Sequence, residues 1–364
     1  MIKDVSWPLR PRTSAKLQIL KSYIGAWFQI VGKRFDTALY FDGFCGPGVY
    51  SGGEDGSPVI AVKEASASCE ANQRFRPILL FNDNDQKACE SVTRQIEMQN
   101  VNNRVQWHVT NKEFWSYADT ITTQLRGQWT NPMFSFIDPF GIKDTPFSSI
   151  EKLLEGERSE CLINFMAGWA NRFVAHPDLD VAQKVEQLLG GSYVDQVLKA
   201  DDRIGTIIQL YQEKLHRQAP FVKSFLLIDE GNVRDNVLIF CSKNSLGFQK
   251  MKEAMWRVDP ERGGRFSARE ALSFSRGQQN LFGVLPVTHP LKNEIRSFLE
   301  HHGRCEVGEL MAWVDSETGF LRKHARIVLT ELHAAGEITA FDPDGDKLKA
   351  GQWPNRVVVA HANG

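Results

Sequence analysis

The sequence has no surplus of charge: 43 lysines and arginines stand against 44 aspartates and glutamates, a formal net charge of -1. That balance excludes binding to nucleic acid through the field of the whole chain, so any such surface must be a local patch. No apolar run approaches the ~18 residues needed to span a bilayer, and the opening MIKDVSWPLRPR lacks the apolar centre of a secretory leader. A cytoplasmic protein with no membrane role is expected. The cysteines, Cys45, Cys69, Cys89, Cys161, Cys241 and Cys305, include no C-x-x-C pair, which argues against both a zinc knuckle and a disulfide framework and leaves buried thiols. His301 and His302 are adjacent and cannot share one helix face, so no metal is expected. Internal repeats, low-complexity tracts and a G-x-G-x-x-G cradle are also missing.

What remains is the composition of a soluble globular protein, 42% hydrophobic and 24% charged. Its 364 residues exceed the roughly 250 to 300 at which a single core stops growing, so two domains are expected. TSAKLQILKSYIGAWFQIVGKR carries apolar residues at Leu17, Leu20, Ile24, Trp27, Phe28 and Val31. That spacing predicts an amphipathic helix with Thr13 as N-cap and Gly32 as its stop. Strand-like TALYFD, PILLFN, RVQWHV, MFSFID and CLINFM then alternate with helical stretches, and VKSFLLID and NVLIFCS follow a further helix. Apolar strands alternating with helices predict an α/β fold, a doubly wound, Rossmann-like sheet covered on both faces. Residues 1–260 form this first domain and 261–288 a glycine- and arginine-rich connector. Residues 289–364 read as three helices and a hairpin around DPDGD, the pattern of a C-terminal winged helix-turn-helix domain. Trp27, Trp256 and Trp313 stand at helical positions as core anchors.

Three strand ends carry the chemistry. After the first strand comes YFDGFCGPGVYSGGEDGSP. Gly43, Gly46 and Gly48 stand where backbone must approach a ligand closely, and the acid Asp42 and the aromatic Phe44 flank them. An acid here suits a cation or a cofactor amine. S-adenosylmethionine supplies an ammonium and a sulfonium without phosphates, whereas the alternative is an ordinary structural turn. After the second strand, Asp83 can accept from two ribose hydroxyls through its two carboxylate oxygens, while Asp85 reads as a helix cap. Thr110 and Asn111, after the third strand, either recognise adenine or cap the next helix. After the fourth strand, SFIDPFG resembles the D-P-P-Y group of amino-methylating enzymes. In that reading Asp138 orients the acceptor, Pro139 aims a backbone carbonyl and Phe140 offers a stacking face. The second proline is missing and Gly141 stands in the aromatic's place, so Asp138 reads equally as a helix cap or a general base. Asn164 and Asn171 are further candidates for the cleft, with a surface position as the alternative for Asn171. Arg322, Lys323 and Arg326 fall within one and a half turns of the third C-terminal helix, either as nucleic-acid contacts or as a solvated face.

Four segments, Tyr40–Pro58, Phe136–Gly141, Leu162–Met166 and Met251–Trp256, together resemble the bacterial three-Cys-motif partner proteins over roughly residues 10 to 260. The resemblance implies a class I methyltransferase-like Rossmann fold, S-adenosylmethionine as cofactor, and a separate partner protein that bears the three cysteines. Typical members carry F-I-E-K-D at the second strand, where this chain has Phe81-Asn82-Asp83-Asn84-Asp85 and so the shorter acid. Two functional classes follow. One is a methyltransferase acting on nucleic acid or on a nucleic-acid-associated partner, and the other is a non-catalytic nucleotide- or protein-binding module whose winged helix mediates DNA, RNA or partner binding.

Overall fold

The computed structural model describes residues 7–125, 130–141, 145–229, 236–268, 285–342, 344, 346, 348, 351 and 353–362. Helix α1 (Pro11–Gly32) begins two residues before Thr13, because Pro11 is preset to a helical φ and has no N–H to leave unpaired. Thr13 is therefore inside the helix, Arg10 is the N-cap without a side-chain bond, and Gly32 ends it as the sequence predicts. The strands and helices then alternate: β1 (Leu39–Asp42), α2 (Ser57–Ala71), β2 (Ile78–Asp83), α3 (Gln86–Glu97), β3 (Gln106–Asn111), α4 (Phe114–Leu125), β4 (Met133–Ile137), α5 (Phe147–Leu154) and β5 (Ser159–Phe165). Four helices follow, α6 (Ala167–Phe173), α7 (Leu179–Leu189), α8 (Val194–Leu198) and α9 (Arg203–Gln218), and then β6 (Phe221–Ile228), β7 (Asn236–Ser242), α10 (Ser245–Val258) and β8 (Arg265–Ser267).

These strands make one sheet in the order β3-β2-β1-β4-β5-β7-β6-β8. Neighbours are parallel except around β7, which runs antiparallel to both β5 and β6. Every residue of β1, β4, β5 and β7 is buried, as a strand covered on both faces requires. Alternate residues of β1 show the two layers. Leu39 and Phe41 enter a core with Phe114, Ile150, Leu154 and Tyr211, while Tyr40 stacks on Phe134 and lies by Phe28. The sheet is doubly wound and Rossmann-like, and its order reverses between β1 and β4, where such sheets leave a crevice at the carboxyl ends of the strands. Among the described residues no helix is long and apolar enough to cross a membrane.

The chain divides into two units, and the division is interleaved. The first runs to Ala254 and resumes at Arg265; the second takes Met255–Gly264 and then the C-terminal residues. This corrects the expected boundaries at 260 and 288. Within the expected connector, β8 joins the first unit's sheet beside β6, and residues 269–284 lie outside the described residues. Trp256 belongs to the second unit, where its indole N–H donates to the Gly319 carbonyl at 3.0 Å and its ring lies 4.1 Å from that of His324.

In the second unit, α11 (His289–His302), β9 (Arg304–Glu306), α12 (Val307–Glu317), α13 (Arg322–Ala334), β10 (Ile338–Phe341) and β11 (Val358–His361) enclose a core of Leu291, Ile295, Leu310, Val328 and Leu332. The expected hairpin is present, with β10 antiparallel to β11. A third strand, β9, pairs with the other edge of β11. Three residues are too short a run to carry a periodicity, so the sequence does not show it.

Candidate functional site

Asp42 closes β1 and is fully buried. The chain then turns under a set of backbone bonds: Gly43 N–H donates to the Phe136 carbonyl at 3.0 Å, Cys45 N–H to that of Asn82 at 2.9 Å and Gly56 N–H to that of Gly48 at 2.8 Å. Oδ1 of Asp42 accepts from Phe44 N–H at 3.3 Å. Its Oδ2 has no hydrogen-bond partner among the described residues. Burial pushes the Asp42 carboxyl up to about 7; the nearby Ser57 hydroxyl and the Phe44 N–H oppose this, and the acids Asp138 and Asp83 add to it. An unpaired oxygen on a buried acid, with two further acids close by, is an environment that a bound cation would relieve.

The glycines of the turn have different reasons. A Cβ on Gly43 would lie 2.7 Å from the Phe114 ring, and one on Gly48 would lie 3.1 Å from Val92. Both are excluded by the protein itself. Gly46 has φ +59°, and a Cβ there would meet nothing within 4 Å, so this residue, unlike Gly43 and Gly48, presents its bare backbone to open space. Phe44 stacks on Phe114 with ring centroids 5.0 Å apart, which commits one face of its ring to the protein.

Asp83 is itself held by the turn. Its Oδ2 accepts from Gly46 N–H and its Oδ1 from Asp85 N–H, each at 2.9 Å, and it is 8% exposed. The short acid ties the end of β2 to the glycine turn, and each of its oxygens keeps a further lone pair. Asp85 caps α3 as expected, accepting from Lys87 N–H at 2.8 Å. Asn111 donates from Nδ2 to the Asp83 carbonyl at 2.9 Å, which braces the same strand end.

At the end of β4, Asp138 is held from two sides. Lys16 of α1 forms an ion pair with Oδ2, and Asn164 of β5 donates from Nδ2 to Oδ1 at 2.7 Å. Asn164 Oδ1 is left without a partner among the described residues. Tyr50 sits near enough that burial, then Asp138 and Asp42, push its phenol up, which keeps it a neutral donor. Pro139 is buried, and Gly141 N–H points at the Met166 sulfur at 3.0 Å. Phe140 is 76% exposed and lies 5.5 Å from the half-exposed ring of Trp7. The structure thus brings Asp42, Asp83 and Asp138 to one end of the sheet and adds Lys16, Tyr50 and Trp7. Lys16 is hidden in the sequence because it interrupts the buried stripe of an amphipathic helix. Asn171 on α6 is half-buried.

In the second unit, Lys323 and Arg326 are exposed on α13. Arg322 is not free in the same way, since its Nε donates to Asp315, a buried acid of α12.

No family model and no curated protein match the chain. Solved structures do. One is the O-methyltransferase of Streptomyces achromogenes involved in tomaymycin synthesis, in complex with S-adenosylmethionine, at 14% identity over 62% of this chain and 79% of that one, TM-score 0.36. Another is the O-methyltransferase of Bacillus cereus in complex with S-adenosylhomocysteine, at 16% identity over 61% and 80%, TM-score 0.33. A protein of Legionella pneumophila str. Philadelphia 1 is similar at 9% identity over 67% and 90%, TM-score 0.42. At these levels the fold rests on the strand order and register of this chain.

Proposed function

We propose that the first unit is an S-adenosylmethionine-dependent methyltransferase whose cofactor lies at the carboxyl ends of β1 and β2 and whose acceptor lies at Asp138. The single observation that carries this reading is the pairing of an unsatisfied Asp42 oxygen with an open-sided Gly46. The antiparallel β7 between β5 and β6 and the methyltransferase-like motifs of the sequence support it. Bound there, S-adenosylmethionine would supply an electrophilic methyl group. Asp42 would hold the ammonium, Gly46 would let the backbone approach, and Asp83 and Asn111 would keep the turn in place. Phe44 would line the crevice with the face left free by Phe114.

Asp138 accepts from Lys16 and Asn164 yet keeps further lone pairs, so its role is to position an acceptor N–H or O–H. Phe140 and Trp7 give a flat acceptor an exposed aromatic surface. Nucleic acid, or a protein bound to it, fits that surface. The second unit, with three helices and a three-stranded sheet, is read as a winged helix-turn-helix that brings DNA or RNA through Lys323 and Arg326. A three-cysteine-motif protein is the partner proposed from the sequence resemblance. One observation favours the non-catalytic alternative: both Asp138 oxygens are already engaged by the protein.

Calorimetric titration with S-adenosylmethionine and S-adenosylhomocysteine tests the reading. We expect 1:1 binding that Gly46→Val abolishes in a protein that remains folded. Equal affinity in that variant would place the ligand elsewhere.

A further inference from the structure

The stretch WPLRP, Trp7 to Pro11, sets a stiff arm in front of α1. Pro8 and Pro11 each fix a φ and lack an N–H, so the arm has few bonds to make and few shapes to take. Its root is firm. Arg12 of α1 pairs with Asp229 at 3.3 Å, and Lys16, about one turn further on, pairs with Asp138. Its tip is held by two contacts made at a single residue. The Trp7 carbonyl accepts from Ser51 N–H at 3.0 Å, and the Trp7 ring lies 5.5 Å from that of Phe140. Among the described residues the only other hydrogen bond of residues 7–10 runs from Ser14 N–H to the Arg10 carbonyl, which belongs to the root.

The places of these two contacts matter. Ser51 stands in the loop after β1 and Phe140 in the loop after β4, the neighbouring strands at which the sheet order reverses. A segment bonded to both loops therefore crosses the crevice between them. Tyr50, next to Ser51, is half-buried, and Asp138 and Asp42 both act on its phenol. The phenol thus lies beneath the arm with the two acids of the site. The loop under the tip is closed on itself: Val49 bridges Asp55, and Tyr50 N–H donates to the Glu54 carbonyl at 2.9 Å. It gives the arm a fixed point to reach. The rings of Trp7 and Phe140 are 49% and 76% exposed, so parting them opens no hole in the core. One neutral hydrogen bond and one exposed ring contact are weak enough to break while the root stays in place.

We propose that Trp7 to Arg10 are a latch over the crevice, closed in this structure and opened by a swing about Leu9 and Arg10 between the two prolines. Closed, it retains the cofactor; open, it lets the cofactor exchange. The inference rests on the cofactor reading above and adds a gate to that site. The outer faces of both rings stay free when the latch is shut, so closure and stacking of an acceptor are compatible.

Chasing tritiated S-adenosylhomocysteine from the full chain with an unlabelled excess measures the release rate. Trp7→Ala should release the ligand at least tenfold faster than the native chain, with the thermal midpoint of the ligand-free protein unchanged. Phe140→Ala should do the same. The double variant should be no faster than either single one, because both remove the same contact. Trp7→Phe, which keeps a ring, should restore slow release. Release unchanged in both single variants, effects that multiply in the double variant, or Trp7→Phe as fast as Trp7→Ala would overturn the latch. A ligand-free midpoint that falls in Trp7→Ala would overturn it too, making Trp7 a structural brace. Failure of the cofactor reading looks different: the native chain then binds no S-adenosylhomocysteine, and the latch falls with it.

Discussion

Two acids at the candidate site respond to substitution in opposite ways. Asp42 is raised from an ordinary value near 3.8 to about 7. Between those values the folded chain keeps a proton that the unfolded chain has released, so stability falls as pH rises from about 4 to 7 and stays reduced above it. Asp42→Asn removes that penalty. In urea unfolding the variant should gain roughly 2–4 kcal/mol over the native chain at pH 8, with the gain shrinking towards pH 4. Ligand binding should show the reverse dependence. A cation bound at Oδ2 favours the carboxylate, so S-adenosylmethionine affinity should rise from pH 6 to pH 8 in the native protein and be weak and flat in Asp42→Asn. Asp138 is the second case. Removing it strands Lys16, which is 7% exposed, and a buried charge that loses its partner costs roughly 3–5 kcal/mol. Asp138→Ala should therefore unfold at markedly lower urea than Asp138→Asn, whose side-chain oxygen still accepts from Lys16. Midpoints in both variants equal to that of the native chain would show that the ion pair contributes little. For that reason Asp138→Asn is the variant to use when turnover is measured.

At the scale of elements, the sheet is legible in the sequence and the reasons for its turns are not. Strands buried on both faces read as unbroken apolar runs, which is why TALYFD, MFSFID and CLINFM stand out. Three-residue strands such as β8 and β9 leave no such trace, and neither does an N-cap displaced by Pro11. The acids are visible as residues but their bonds are not: Asp83 reaches Gly46 across 37 positions of sequence, and nothing local announces it. The three glycines look alike in the sequence and differ in space. Gly48 at φ +89° faces the Val92 backbone, whose Cα would lie 3.3 Å from an added methyl, while Gly46 faces nothing. Gly48→Ala should lower stability by roughly 1–3 kcal/mol through backbone strain and crowding. Gly46→Ala carries the strain without the crowding, so its thermal midpoint should fall less and its cofactor affinity more. A pair of variants with the same ratio of the two losses would mean that both glycines serve only the turn.

The whole molecule is two units interleaved along the chain, and this decides what a fragment can do. A piece cut at residue 289, the start of the C-terminal domain by sequence, lacks Trp256, whose ring lies 5.8 Å from that of Phe320 and 4.1 Å from that of His324. Such a fragment should be less cooperative than the same unit in the full chain, and nucleic-acid binding is best measured on the full chain. Its charges oppose each other there. Lys323 and Arg326 are exposed on α13, but Arg322 is tied to Asp315, and the turn between β10 and β11 carries Asp342, Asp344 and Asp346. Asp342 Oδ1 accepts from the Asp344 and Asp346 N–H groups at 3.0 and 2.9 Å, which folds the acids into one tight turn that repels phosphate. If α13 lies in a major groove, two phosphate contacts are at stake, not three. Lys323→Ala with Arg326→Ala should then reduce the slope of log affinity against log salt by about two, close to one per contact, with Arg322→Ala changing it little. Fluorescence anisotropy with a labelled duplex between low and moderate salt reads that slope directly. A slope unchanged by the double substitution, or no duplex binding at low salt, would assign the exposed face of α13 to a protein partner.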